Sequence, residues 1–123
     1  MINALGHAYA SISLVNLKTE EIEILKSSGN MKPDQKGDML FKAHQEELIR
    51  QVIAEPFQKA YWEFVDISTV AKRLEERETL SFTARTVDER WMTMIIVPQG
   101  YDKDGKLCTV LVAIRDATEE KRT

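Results

Sequence analysis

Residues 91–122, WMTMIIVPQG YDKDGKLCTV LVAIRDATEE KR, decide how this chain folds. Trp91 to Val97 is an apolar run interrupted only by Thr93, and Leu107 to Ile114 is a second. Each has the length and residue types of a strand that is apolar on both faces. Between them, Asp104-Gly105 supports a tight hairpin turn, because both residues tolerate positive φ. Beyond Ile114 the chain turns polar, and Asp116 and Thr118 are good N-cap residues for a helix. The stretch therefore predicts a long antiparallel hairpin that runs into the start of a helix.

Working back from Trp91, Val87 to Arg90 reads as a turn. From Thr79 on, Leu80, Phe82 and Ala84 alternate with Ser81, Thr83 and Arg85, the period-two pattern of a half-buried strand. Further upstream the spacing is helical. Phe41, His44, Leu48 and Val52 form one stripe, with Asp38 as the expected N-cap. Pro56 suits the first turn of a second helix, whose stripe is Phe57, Ala60, Tyr61 and Phe64. Ile67, Val70, Ala71 and Leu74 make a third, capped by Asp66 or Ser68. Residues 27–37 are polar, contain Gly29, Pro33 and Gly37, and read as a loop. At the front, Ala10, Ile12 and Leu14 alternate with Ser11 and Ser13, so the apolar set is expected to face the core. Residues 17–20 connect this strand to another at Glu21–Lys26, with Ile22 and Ile24 facing one way. Two strands, a helical block and three strands point to an α+β architecture on an antiparallel sheet.

Composition narrows the function. The chain has 123 residues, suited to one domain, with 43% hydrophobic and 30% charged residues and a formal net charge of −3. Acidic and basic residues are interspersed, so no basic footprint for nucleic acid is present. The single cysteine, Cys108, forms no internal disulfide, and a reducing cytoplasm is the expected location. No apolar run reaches the ~18–20 residues of a membrane span, and no signal peptide follows Met1.

The element order, and above all the strand, the Asp102-Lys103-Asp104-Gly105 turn, the last strand and the closing Asp116-Ala117-Thr118-Glu119 with its following Lys121 and Arg122, resembles the PAS family. The resemblance implies a five-stranded antiparallel sheet in the order 2-1-5-4-3 with the helical middle packed on one face. It divides the chain into a lead-in at 1–7, a strand hairpin at 8–26, a helical middle at 38–77, a three-stranded meander at 79–115 and the start of a linker helix at 116–123. Two positions depart from the family's pattern. Ala117 replaces the usual β-branched residue, and Glu20 stands where the first hairpin often has glycine.

Catalytic and metal chemistry find little support. His7 and His44 are the only histidines, and His44 shares an apolar stripe, so it reads as a core-edge residue; a zinc site needs three or four convergent ligands. Haem-binding relatives take an axial histidine from the later helices, and Pro56–Glu78 has none. Flavin-binding light sensors carry a reactive cysteine in an Asn-Cys-Arg-Phe-Leu-Gln segment absent here, while Cys108 lies in a strand. Neither haem nor flavin is expected, and no enzyme activity.

What the resemblance does imply is a sensory or regulatory input domain. A small ligand would lie between the inner sheet face and the helices, among Ile12, Leu14, Trp62, Leu74, Leu80, Phe82, Met92, Met94, Ile96, Val110, Val112 and Ile114. Such a lining also describes a plain filled core. If Met92, Met94 and Ile96 point inward, then Trp91, Ile95, Val97 and Leu111 point outward. This apolar outer face is expected to be covered by a second copy of the chain or by a preceding N-terminal helix. Signal would leave through Asp116 and Thr118 to a downstream effector domain of histidine kinase or diguanylate cyclase type, since the chain stops as that helix begins. The alternative is a ligand-free dimerisation module with the same fold.

Overall fold

The computed structural model describes residues 11–27 and 40–119. In chain order the elements are β1 (Ser11–Asn16), β2 (Ile22–Ser27), α1 (Phe41–Gln51), α2 (Glu55–Phe64), α3 (Ile67–Glu76), β3 (Leu80–Arg85), β4 (Trp91–Tyr101) and β5 (Leu107–Asp116). All five strands join one antiparallel sheet in the order β2-β1-β5-β4-β3. The expected lead-in, the loop from 28 to 37, the cap Asp38 and the tail after Glu119 lie outside the described residues. Among the described residues, no helix is long and apolar enough to cross a membrane.

Local chemistry sets each connection. Between β1 and β2 the Asn16 side-chain oxygen accepts hydrogen bonds from the amides of Lys18 (2.8 Å) and Thr19 (2.9 Å), which folds the turn. Glu20 closes it with φ +66°, so a non-glycine residue occupies the left-handed position. The β4–β5 turn needs positive φ at Gly105 alone (+81°). There Asp102 does the organising: its Oδ1 accepts from the amides of Asp104 and Lys106, both at 2.9 Å. The tight turn expected at Asp104-Gly105 is therefore a type I turn closed by a left-handed glycine, in which Asp104 does not take positive φ. Pro98 sits within β4 at no cost to the ladder, because β3 pairing ends at Ile96 and leaves that side of the strand open.

The helix starts differ in how they are capped. Asp66 caps α3 from its own side chain, accepting from Ser68 N at 3.0 Å and Ser68 Oγ at 2.6 Å. Pro56 lies in the first turn of α2. For α1 the N-cap residue is Leu40, not the expected Asp38, and it has no capping side chain. Its first amides are satisfied by Glu20 from the β1–β2 turn: Phe41 N donates to the Glu20 carbonyl at 2.9 Å and Lys42 N to its Oε1 at 3.3 Å. The hairpin thus caps the helix across the fold.

The core lies between the helices and one sheet face. Met92, Met94, Ile96, Val110, Val112, Ile114, Leu80 and Ala84 are buried there with Phe41, Leu48, Ile53, Tyr61, Phe64 and Val70. Strand β1 corrects the sequence reading. Its cross-strand partners on β5 are Ser11–Ile114, Ser13–Val112 and Val15–Val110, all on the helix side. Ser11, Ser13 and the fully enclosed Val15 therefore face inward, and Ile12 and Leu14 face outward. The pairing with β2 follows the same parity, since Ile22 opposes Val15 and packs against the core.

Candidate functional site

Three places on the fold concern the expected functions: the helix–sheet interface, the outer sheet face and the end of β5.

At the interface, Leu80, Phe82, Met92, Met94, Ile96, Val110, Val112 and Ile114 share the helix-facing side of the sheet, with Leu74 half-buried against them. Ile12 and Leu14 are on the opposite face. Trp62 is also elsewhere: it is 38% exposed, on the flank of α2 away from the sheet. Two residues absent from the sequence-based set occupy the centre. Tyr61 is fully buried, and its hydroxyl donates to Oε1 of Gln45 at 2.5 Å and lies 3.8 Å from Met94 Sδ. Burial pushes the Tyr61 phenol well above its ordinary range. Gln45, at 2% exposure, takes the buried place on α1 that the stripe assigned to His44. Aromatic packing extends from there. The Phe82 ring stacks on Phe64 at 5.3 Å and meets Tyr61 edge-on at 6.0 Å, and the Arg73 guanidinium lies over Phe64 while donating to its carbonyl at 2.7 Å. Burial lowers the Arg73 pKa, with Asp66 opposing.

On the outer face two apolar rows cross the sheet. Leu14, Leu111 and Val97 are direct partners across β1, β5 and β4, and so are Ile12, Ala113 and Ile95. The described helices all pack on the other side. Towards β3 this face turns polar, where Thr83 and Thr93 hydroxyls pair at 2.8 Å. Trp91, expected with Ile95, Val97 and Leu111, is set apart from them. Its ring meets Phe57 of α2 edge-on at 5.7 Å and carries the Arg85 guanidinium at 5.6 Å.

At the end of β5 the chain is fastened to the head of β4. Asp116 Oδ1 accepts from Thr118 N at 2.8 Å, the cap geometry expected of it. Its Oδ2 accepts from Arg90 Nε at 2.8 Å and also from Nη2 of the same guanidinium. Ala117 N donates to the Trp91 carbonyl at 2.8 Å, and Trp91 N donates to Thr118 Oγ1 at 3.0 Å. Partial burial works to raise the Asp116 pKa, but hydrogen bonds from Thr118 and the Arg90 guanidinium outweigh it and hold the carboxyl below its usual range. Arg90 is raised in turn by the hydrogen bond and charge of Asp116. Ala117 is 2% exposed, so the small residue sits in a closed position. Arg90 escaped the sequence reading because a lone arginine in a turn carries no pattern; its place immediately before Trp91 is the one available signal.

His44 is half-buried, and burial lowers its pKa against the opposing charge of Glu47. Cys108 is a partly buried free thiol. Among the described residues, no three His, Cys, Asp or Glu side chains come together as a metal site.

No protein-family model matches this chain, and no curated protein sequence matches it significantly. Its backbone does match solved structures. A domain ascribed to a light and redox sensing histidine kinase from Haloarcula marismortui superposes with a TM-score of 0.57 at 12% identity, over 95% of this chain and 97% of that one. The N-terminal domain of a diguanylate cyclase with PAS/PAC sensor from Marinobacter aquaeolei gives 0.56 at 14%, over 90% and 97%. A PAS domain from Colwellia psychrerythraea gives 0.53 at 16%, over 96% and 98%. With the strand order and the helical block on one face, these near-complete superpositions establish that the chain has the PAS fold.

Proposed function

We propose that this chain is a sensory or regulatory input domain that passes a signal through the end of β5 to an effector domain of histidine kinase or diguanylate cyclase type. The observation that carries the reading is the fastening of Asp116, Ala117 and Thr118 to Arg90 and Trp91. The first residues of the exit helix are held by the sheet strand that also contributes Met92, Met94 and Ile96 to the core. A change in the core therefore has a short mechanical route to the exit. The solved domains with the same fold include ones named for a histidine kinase and for a diguanylate cyclase, which supports the choice of effector.

The domain works as a homodimer in this reading, joined through Ile12, Leu14, Ile95, Val97, Leu111 and Ala113. An apolar patch continuous across three strands is what a second copy would cover. Leu111→Glu is expected to make the protein monomeric in sedimentation velocity; an unchanged sedimentation coefficient refutes the interface. For the sensory role, Asp116→Ala in a protein bearing the effector is expected to uncouple output from input. Unaltered signalling removes the role of Asp116. Native mass spectrometry of the purified chain distinguishes a sensor with a retained ligand from a ligand-free dimerisation module.

A further inference from the structure

We propose that a cleft among the helices and the β1–β2 turn, lined by no strand residue, is a binding site for a small organic cation that also carries a hydrogen-bond acceptor. The cleft has a volume of about 370 Å³ and lies between the β1–β2 turn, the start of α1, the end of α2 and the α2–α3 connection. That is the size of a pocket for a small molecule.

Its charge selects the ligand. Glu20, Glu63 and Asp66 line it, against a single cation, Lys42. Hydrogen bonds from Ser68, and then the charges of Arg73 and Lys42, outweigh burial and hold the Asp66 carboxyl below its usual range, so it is ionised at neutral pH. The cleft therefore carries an excess of two negative charges. Trp62, more than a third exposed, supplies an aromatic wall, and a cation against an aromatic face gains further attraction.

A second, independent feature marks this cleft as a site. Gln45 is only 2% exposed, yet it lines the cleft. Its Oε1 is taken by the Tyr61 hydroxyl, while its Nε2 has no hydrogen-bond partner among the described residues. No fully buried polar side-chain atom of a described residue lacks a partner, so this Nε2 keeps some solvent access, and the cleft is the opening that Gln45 borders. A preoriented donor at the floor calls for an oxygen acceptor on the ligand. Its orientation is locked by a buried tyrosine, which suits selective recognition.

The claim stands whether or not the domain signals. The test is a titration of the whole chain with choline, followed by amide and side-chain NMR, with 3,3-dimethyl-1-butanol as the neutral isostere and acetate as the anion. Choline is expected to give saturable shifts at the Gln45 carboxamide, the Trp62 indole and the amides of Asp66 and Ser68, with a dissociation constant of about 1 mM or tighter. Glu63→Lys, at an exposed position, is expected to weaken it roughly tenfold, and Lys42→Gln to strengthen it, because surface charge around the cleft sets the attraction. Equal binding of the neutral isostere, preference for acetate, shifts centred elsewhere, no saturation, or indifference to both substitutions overturns the proposal.

Discussion

The buried pair Tyr61–Gln45 offers the sharpest test of how the helical block is held on the sheet. Tyr61→Phe deletes one hydroxyl from a fully enclosed site and strips Gln45 Oε1 of its donor. An orphaned buried polar group costs about 1–3 kcal/mol. Because the Gln45 carboxamide also borders the cleft and retains some access to water, the lower part of that range, about 1–1.5 kcal/mol, applies. Gln45→Met, close in shape, leaves the phenol with only the Met94 sulfur at 3.8 Å, a weak acceptor. Its cost should be about 2 kcal/mol. The double substitution removes both polar groups together and should lie within about 0.5 kcal/mol of the parent, since replacing both partners by apolar groups is nearly neutral. The coupling between the two is then about 2.5–3.5 kcal/mol. For 123 residues, an unfolding entropy of about 2.1 cal/mol/K per residue makes each kcal/mol worth about 4 °C in Tm. The singles should melt roughly 5 and 8 °C low, and the double close to the parent, in circular dichroism melts at one fixed protein concentration. Additive losses, with the double the least stable, would refute the hydrogen bond as the organising contact.

Three further tests address other joints of the fold. Thr118→Val removes the oxygen that accepts from Trp91 N; stability should fall by about 0.5–1.5 kcal/mol, and hydrogen exchange at the Trp91 amide should accelerate, whereas unchanged exchange would count against the fastening. Glu20→Ala keeps a side chain at φ +66° and loses the oxygen that caps Lys42 N, while Glu20→Gly loses the same cap and relieves a left-handed cost of about 1–2 kcal/mol. Urea denaturation should therefore rank glycine above alanine at this position, and the reverse order would show that the turn is unstrained. Burial lowers the His44 pKa below its value in the unfolded chain, so the unfolded state binds the proton first. His44 thus favours folding fully above pH ~6.5, the unfolded value, and that contribution falls away as pH drops through the lower folded value. His44→Gln should flatten the stability profile across that window, and an identical slope in both proteins would remove the assignment.

What was legible in the sequence depended on whether a residue's partner was local. The β4–β5 hairpin was, because two apolar runs and the Asp-rich turn settle pairing within one short stretch, and the Asp66 cap was, because its acceptor and donors are two residues apart. Gln45 was not. It and His44 are adjacent in sequence but about 100° apart around the helix, one on each flank of the Phe41–Leu48 stripe, and only a tyrosine sixteen residues away decides which is enclosed. Trp62 misled for a related reason, since an aromatic next to Tyr61 on α2 is rotated by one position and falls on the flank. The cap of α1 was also hidden, for its donor set answers to Glu20 in another turn.

Strand β1 shows the limit of period two as a guide. Alternation identifies two faces but not which one is covered, and the rule that the apolar set points inward presumes only one dry side. In β1 the inward set is Ser11, Ser13 and Val15, with Val15 enclosed completely. Ile12 and Leu14 join the outer patch instead, so the inversion strengthens the case for a partner on that face.

On the proposed reading, the fastening at the end of β5 also sets the energy that a signal would have to supply. Freeing the start of the exit helix from β4 breaks two hydrogen bonds with backbone partners, Ala117 N to Trp91 O and Trp91 N to Thr118 Oγ1. Together they are worth about 2 kcal/mol. The Arg90–Asp116 pair is solvent-exposed and adds little to that threshold. A ligand shifts such an equilibrium only by its difference in affinity for the two states. One that bound the released state alone, at a hundredfold excess over its Kd, would supply about 2.7 kcal/mol. That exceeds the fastening, whereas a tenfold excess supplies about 1.4 kcal/mol and does not. If the domain relays a ligand signal as proposed, an input of ordinary affinity would be sufficient to work this exit, and removing Thr118 Oγ1 should lower the ligand excess needed by about the factor of five that 1 kcal/mol represents.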